Sequence, residues 1–205
     1  MMIHKIFIGA FVIFVLLTNE IFAGKKPDLY MLDTNKSSIE WEGKKLVGTN
    51  NGSLKLKSGF LKLQGNEIIG GEIVADMKTI SDKDIDDKEY NAKLVKHLKS
   101  EDFFNVLKYP VAVFKFTNIE KAIDPDNSNF NYKITGNMTI KNVTNPITFF
   151  AHIGFNGNSI SSRTKLILDR TKWNITYKSK NFFKNLGDKF IYDDFVLWLE
   201  LSFSK

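Results

Sequence analysis

The chain of 205 residues contains no cysteine. We therefore expect neither a disulfide nor a cysteine-linked lipid anchor, and no thiol is available as a nucleophile. Enzyme signatures are also missing, because the sequence has no Gly-x-Ser-x-Gly elbow, no Gly-rich phosphate loop and no HExxH metal helix. We expect a protein that is not an enzyme and has no metal site or cofactor.

Proline is scarce, with four residues, and no stretch rich in Pro, Gly or Ser divides the chain. The length fits one domain with a substantial core. The net charge of +6 comes mostly from scattered lysines, without the basic and aromatic clusters that track a phosphate backbone, so we expect no nucleic-acid partner. Contact with an anionic membrane surface stays open, although scattered lysines are more typical of solvated strand faces. A homodimer also stays open.

The N-terminal residues have the pattern of a secretory signal. A short basic start, MMIHK, precedes an apolar run over Ile6–Leu17 and then TNEIFA, which ends at Ala23. The apolar run is short for a membrane span, and polar residues follow it directly. We predict a signal peptide over residues 1–23, cleavage before Gly24, a mature domain over residues 24–205, and a periplasmic or secreted protein.

Most of the remaining chain alternates between apolar and polar residues, which is typical of strands with one buried face. The clearest case is NYKITGNMTIK, Asn131 to Lys141. The same pattern predicts further strands over residues 38–43, 54–63, 68–77, 111–116, 147–155, 164–168 and 195–203. Predicted turns separate them at Asn50-Asn51-Gly52, Asp124-Pro125-Asp126-Asn127 and Asn156-Gly157-Asn158. About eight sequential strands favour an all-β fold, an antiparallel meander closed into a barrel.

One segment has helical spacing instead. Over Asp84–Lys99, the apolar side of the predicted helix carries Tyr90, Leu94, His97 and Leu98. Its acidic start suits the positive end of a helix dipole. Asp82-x-Asp84-x-Asp86 resembles the opening of a calcium loop, but the required glycine and glutamate are replaced by Asp87 and Lys93, which argues against calcium.

A few polar residues are candidates for a site. His97 could cap the end of the helix or contact a ligand, and capping explains its position. Asp102 follows the helix, where a carboxylate most often accepts from backbone N–H groups. Arg170 could pair with charges across the sheet or hold a polar ligand head with its fork of donors, and pairing is the favoured reading. His152 falls on the polar side of its strand, whereas Trp41, Trp173 and Trp198 are expected in the core or at a cap.

The stretch from His97 to Phe116, HLKSEDFFNVLKYPVAVFKF, resembles the YceI-like family of periplasmic proteins. In that family a helix ends in His-Leu-x-Ser, an Asp-Phe-Phe follows, and a Tyr-Pro opens a strand that closes on Phe. The matching residues are His97, Leu98, Ser100, Asp102, Phe103, Phe104, Tyr109, Pro110 and Phe114. The resemblance continues in WEGKK at Trp41–Lys45, in Gly136–Pro146 and in LDRTKW at Leu168–Trp173, and covers about residues 29–205.

The resemblance implies an elongated, lipocalin-like β-barrel of about eight strands with one inserted α-helix, holding a long isoprenoid or quinone-like lipid. The expected apolar ligand contacts are Phe114, Phe116, Ile134, Met138, Phe149, Ala151, Ile153, Leu197 and Leu199. The expected polar mouth comprises His97, Asp102 and Arg170. Phe103 and Phe104 are expected to plug one end or form part of the mouth.

The alternation alone leaves open whether the interior is a tunnel or a solid core. A barrel with a filled core, acting in protein interaction or stress protection, is the alternative to a lipid carrier, store or sensor. If the interior is a tunnel, a phenylalanine at position 151 should occupy ligand space without destabilising the empty protein.

Overall fold

Nine antiparallel strands and one helix make up a computed structural model that describes residues 26–205. The predicted signal peptide and its cleavage site lie outside the described residues. The elements are β1 Asp28–Leu32, β2 Ser38–Lys45, β3 Thr49–Gln64, β4 Glu67–Asp82, α1 Lys88–Lys99, β5 Val111–Lys121, β6 Tyr132–Ile140, β7 Val143–Asn156, β8 Ser159–Asp169 and β9 Ile191–Ser204. Among these described residues, no helix is long and apolar enough to span a membrane.

The nine strands close into a barrel whose wall has eight strand positions. Following hydrogen bonds around the wall, the order is β3, β2, β9, β8, β7, β6, β5 and β4, and β4 pairs with β3 to close the ring. The short strand β1 was not predicted. It occupies the same position as β2, because β1 also pairs with both β3 and β9, further along each of them. The predicted eight-stranded, antiparallel barrel with one inserted helix is confirmed.

The period of two explains which face is inside. Along β6, Tyr132, Ile134, Gly136, Met138 and Ile140 are buried, whereas the residues between them are exposed or half-buried. The predicted strands are present, and most extend further than the alternation indicated. The alternation did not predict the strand ends, because some of them, such as the start of β8, consist mainly of polar residues. The ladder hydrogen bonds hold these residues extended whatever their polarity.

The turn predicted at Asn50-Asn51-Gly52 is wrong, since these residues lie inside β3. The chain reverses earlier, where Gly48 has a φ of +90°. Gly52 serves close packing instead. A Cβ atom there would lie 1.8 Å from the Ser81 carbonyl oxygen and 2.8 Å from the Trp41 ring, so only glycine lets β4 and Trp41 approach β3 at this point.

The helix begins later than predicted, because Asp87 is its N-cap. The Asp87 carboxylate accepts the backbone N–H groups of Glu89 and Tyr90, which satisfies two of the free donors of the first turn. Leu98 is buried against the barrel. Tyr90, predicted on the same face, is 66% exposed because the helix covers the barrel mainly with its C-terminal part.

The two ends of the barrel differ. At the helix end lie α1, the turn at residues 46–48 and the segment 174–190 that precedes β9. At the far end lie β1, the loop at residues 122–131 and the tight turn at Gly157. Leu98 and Phe103 close much of the helix end, so the inserted helix acts as a partial lid.

Candidate ligand-binding cavity

A cavity of about 180 Å³ runs through the interior of the barrel. Nearly all of its wall is apolar, and every strand from β2 to β9 contributes to it. Its lining along β4 extends from Ile68 to Ile80. The twelve steps from Ile68 to Ile80 span about 40 Å at about 3.3 Å per residue, or about 30 Å along the axis of a barrel whose strands tilt by about 40°. The cavity is therefore long and narrow.

The inward side chains do not fill this space. Phe149, Leu197 and Leu199 face the interior, yet each keeps accessible surface and is only half-buried. On neighbouring strands, Ile39 and Leu166 lie in register with Leu199 and Leu197 and are buried. Inward residues with free surface between buried neighbours indicate an open channel, because a packed core would cover them.

Eight of the nine residues predicted to contact a ligand line the cavity, namely Phe114, Phe116, Ile134, Met138, Phe149, Ile153, Leu197 and Leu199. Gly136 helps to place one of them. A Cβ atom at Gly136 would lie 2.4 Å from the Phe114 ring, so the absence of a side chain lets this ring lie across β6.

Ala151 is the exception and corrects the sequence-based expectation. It has the predicted phase but is 0% exposed and does not line the cavity. Its flanking residues Phe149 and Ile153 do. The alanine methyl group is too short to reach past these larger side chains, and Tyr132 lies opposite in β6. The alternation along a strand predicts the direction in which a side chain points, whereas how far it reaches depends on its length.

The cavity opens at the start of β9. Tyr192 and Asp194 are the exposed residues in its described lining. Gly43 of β2 pairs with Phe195, but Lys45 pairs with Ile191, so three residues of β9 bulge out opposite one residue of β2. Gly43 lines the same opening, and a Cβ atom there would meet nothing within 4 Å. We call this gap, bounded by Gly43, Tyr192 and Asp194, the mouth.

Sequence reasoning missed all three mouth residues. The available signal was the sequence IYDDFVLW, in which two consecutive aspartates interrupt the alternation at the start of the last strand. Such an interruption is typical of a bulge, where a strand leaves its ladder. It does not reveal that the bulge lies beside the cavity.

Arg170 lines the cavity, but its donors are all used inside the protein. Nε donates to the Tyr192 carbonyl at 3.1 Å, Nη1 to the Ile175 and Tyr177 carbonyls at 2.9 Å each, and Nη2 to the Ile191 carbonyl and Asp193 Oδ1 at 3.1 Å each. A guanidinium has five N–H groups. Burial lowers the pKa of Arg170, and the carboxylates of Asp193 and Asp169 oppose that shift.

These bonds attach segment 174–190 and the start of β9 to the end of β8. The structure therefore assigns Arg170 the structural role that sequence reasoning favoured, rather than the role of a ligand contact. Asp169 caps the short 3-10 turn Arg170–Trp173 through the Thr171 N–H at 2.9 Å.

His97 and Asp102 do not line the cavity, so the predicted polar mouth is not formed by these residues. His97 Nε2 lies 2.9 Å from Asp102 Oδ2, and both side chains are partly exposed. The His97 ring packs edge-on against Phe103 and Tyr177, with centroids 5.0 and 4.6 Å away. The pair thus fixes the loop after α1 over Phe103, which does line the cavity. Ser100, not the His97 side chain, caps the helix.

Carboxylates of the acidic segment before the helix accept hydrogen bonds from other groups of the protein. Asp82 Oδ1 accepts from the Ile85 N–H and from Asn91, and Asp84 accepts from the Asn51 N–H at 2.8 Å. Burial and the neighbouring Asp84 raise the pKa of Asp82. Burial by itself would raise the pKa of Asp84 too, but hydrogen bonds from Asn51, Asp82 and Asn50 outweigh it and lower that pKa. Within residues 26–205, no group of three or more His, Asp or Glu side chains could hold a metal ion.

A family model described as a YceI-like domain matches residues 30–203. The chain belongs to the YceI-like family. Curated relatives include UPF0312 proteins of Yersinia enterocolitica and Yersinia pestis, each 35% identical over 68 residues. That match covers 33% of this chain and 32% of each relative, so only about a third of the relatives' length is compared.

Two solved structures share the YceI-like fold of this chain. Burkholderia cenocepacia BcnA has a TM-score of 0.62 at 21% identity, covering 83% of this chain and 98% of BcnA. A polyisoprenoid binding domain from Saccharophagus degradans, implicated in plant cell wall breakdown, has a TM-score of 0.59 at 10% identity. It covers 85% of this chain and 97% of its own. At these identities the likeness concerns the fold.

Proposed function

We propose that this protein binds a long isoprenoid or quinone-like lipid in the barrel, as an exported, periplasmic carrier, store or sensor. The observation that carries the proposal is the long apolar cavity whose inward side chains, such as Leu199 and Phe149, retain free surface. A solid core, the alternative that the sequence left open, would leave no such surface. The family and the polyisoprenoid binding domain of similar fold support the same ligand class.

The physical chemistry suits a binding protein without a cofactor. If a lipid chain buried ~600 Å² of apolar surface, the gross gain would be about 15 kcal/mol, before immobilisation costs remove a large part of it. An eight-stranded barrel is about the smallest that encloses one slim ligand. We assign the chain a binding role rather than a catalytic one.

The test is organic extraction of the protein purified from its native host, followed by mass spectrometry. We expect one dominant isoprenoid amphiphile in stoichiometric amount. Leu199→Trp, which fills the cavity in the middle of β9, should abolish the co-purified lipid.

Val196→Trp is the matched control, because this residue lies on the outer face of the same strand and does not line the cavity. It should retain the lipid. Extracts without lipid from both the parent and the control would contradict the proposal and favour the barrel with a filled core.

A further inference from the structure

The mouth is surrounded by two loops that lie side by side, residues 44–48 and residues 178–192, which we call the mouth surface. Lys45 pairs with Ile191 in the ladder, and the Ile191 N–H donates to the Lys178 carbonyl at 3.0 Å. These bonds join the turn after β2 to the segment before β9. The two loops therefore form one continuous surface beside the opening of the cavity.

The mouth surface exposes large apolar side chains. Val47 is 80% exposed and Phe182 58% exposed. Leu46, Phe183 and Tyr192 are also exposed. Single exposed apolar residues need no explanation, but a cluster at the opening of an apolar cavity indicates a contact surface.

The charge of the same surface is positive. Residues 44–48 and 178–192 contain six lysines and one aspartate, and with Asp193 and Asp194, which follow directly, the region around the mouth has a net charge of +3. The loops of the far end, residues 33–37, 65–66, 122–131 and 157–158, contain three aspartates and one lysine. The loops beside the mouth are thus more basic than the loops of the far end.

We infer that the mouth surface docks the protein onto an anionic lipid bilayer, with the mouth facing the membrane. Apolar loop tips within a basic rim suit the interfacial region of such a bilayer, where the tips enter the headgroup boundary and lysines meet anionic headgroups. This inference rests on the proposed function, because docking would bring the cavity to the phase in which a lipid ligand is dissolved.

The experiment measures co-sedimentation of the delipidated protein with vesicles of phosphatidylglycerol and phosphatidylcholine, and with phosphatidylcholine alone. We expect binding to the anionic vesicles that weakens steeply as the Debye length falls from about 10 Å at 0.1 M salt to about 3 Å at 1 M. Val47→Asp and Phe182→Asp should each weaken partitioning by about ten-fold through the lost apolar contact. Lys184→Gln and Lys189→Gln should each weaken it by about five-fold.

Ile123→Asp is the matched control, since Ile123 is 70% exposed in a far-end loop. It should leave vesicle binding unchanged. Equal loss in this control, equal binding to both vesicle types, or no binding would overturn the inference. Sedimentation velocity without vesicles tests for a second copy of the chain on this surface, and a dimer abolished by Phe182→Asp would also overturn it.

The lipid content of the parent protein is measured separately by extraction. If extraction finds no lipid, the proposed function fails, while the vesicle assay with the same variants still decides whether the mouth surface binds a membrane.

Discussion

Arg170 lies on the cavity wall, but all the donors of its guanidinium group are used within the protein. Its side chain is 6% exposed and forms an ion pair with Asp193. Four of its five acceptors are backbone carbonyls, those of Tyr192, Ile175, Tyr177 and Ile191. A buried charge can be tolerated when every donor is paired, and here this pairing holds an irregular segment against the barrel.

We expect Arg170→Ala to lower the free energy of unfolding by about 3–5 kcal/mol, because Asp193 Oδ1 and the four carbonyls lose their partner in a buried site. Chemical denaturation measures this loss. Arg163→Ala is the control, since the chain's other arginine is exposed on the outer face of β8. A variant with parental stability that retains less lipid would show that Arg170 binds the ligand instead.

Asp82 links stability to pH. Its Oδ2 is buried and accepts no hydrogen bond from the described residues, and its pKa is raised by burial and by Asp84. In the unfolded chain Asp82 ionises at its ordinary pKa, whereas in the folded protein it holds its proton to higher pH. Stability from this group is therefore fully present below the ordinary pKa and falls as the pH rises through the raised value.

We expect Asp82→Asn to stabilise the protein at neutral pH and to change stability least in acid, because the amide is neutral throughout and can still donate to Asp84. Thermal unfolding followed from acid to neutral pH measures the difference. Asp86→Asn, in the exposed turn that follows Asp82, controls for loss of a negative charge. If the advantage of Asp82→Asn were greatest in acid, the assigned direction of the Asp82 pKa would be wrong.

The pairing between β2 and β9 shifts register beside Gly43, and this shift opens the barrel. The bulge beside Gly43 leaves space that a side chain can enter. Ala151 in β7 offers no such space, since it is completely buried. The same new ring should therefore have opposite effects in the two strands.

We expect Gly43→Phe to leave the free energy of unfolding within about 1 kcal/mol of the parent, below the overpacking range, while blocking the mouth and removing co-purified lipid. Ala151→Phe should overpack the wall and cost about 1–3 kcal/mol or more, which replaces the tolerance expected from the sequence. Denaturation and lipid extraction of both variants check this. A stable Ala151→Phe variant or a lipid-loaded Gly43→Phe variant would contradict the assigned geometry.

At the scale of the molecule, export remains a prediction from residues 1–23. We expect a mature chain that begins at Gly24, because Ala23 follows an apolar run of signal-peptide length. Intact-mass measurement of the protein from the periplasmic fraction checks the cleavage site. A full-length chain in the cytosol would contradict both the signal peptide and the proposed location.

The alternation along the chain was enough to predict the barrel and the side chains that face its interior. Alternation in NYKITGNMTIK sets the buried face of β6, and the same period places Leu197 and Leu199 on the inner face of β9. These predictions succeed because the direction of a side chain on a strand depends only on its position along the chain. The helix was also visible, since Leu94 and Leu98 repeat at helical spacing.

Contacts between segments distant in the sequence set where the barrel opens and which polar groups remain free. Gly43 and Asp194 meet at the mouth through a shift of register between strands that are distant in the sequence. Arg170 is not assigned as a ligand contact, because backbone carbonyls of segment 174–190 accept hydrogen bonds from its guanidinium group. Register shifts and hydrogen-bond partners depend on which segments meet in space, and a local pattern carries no information about that.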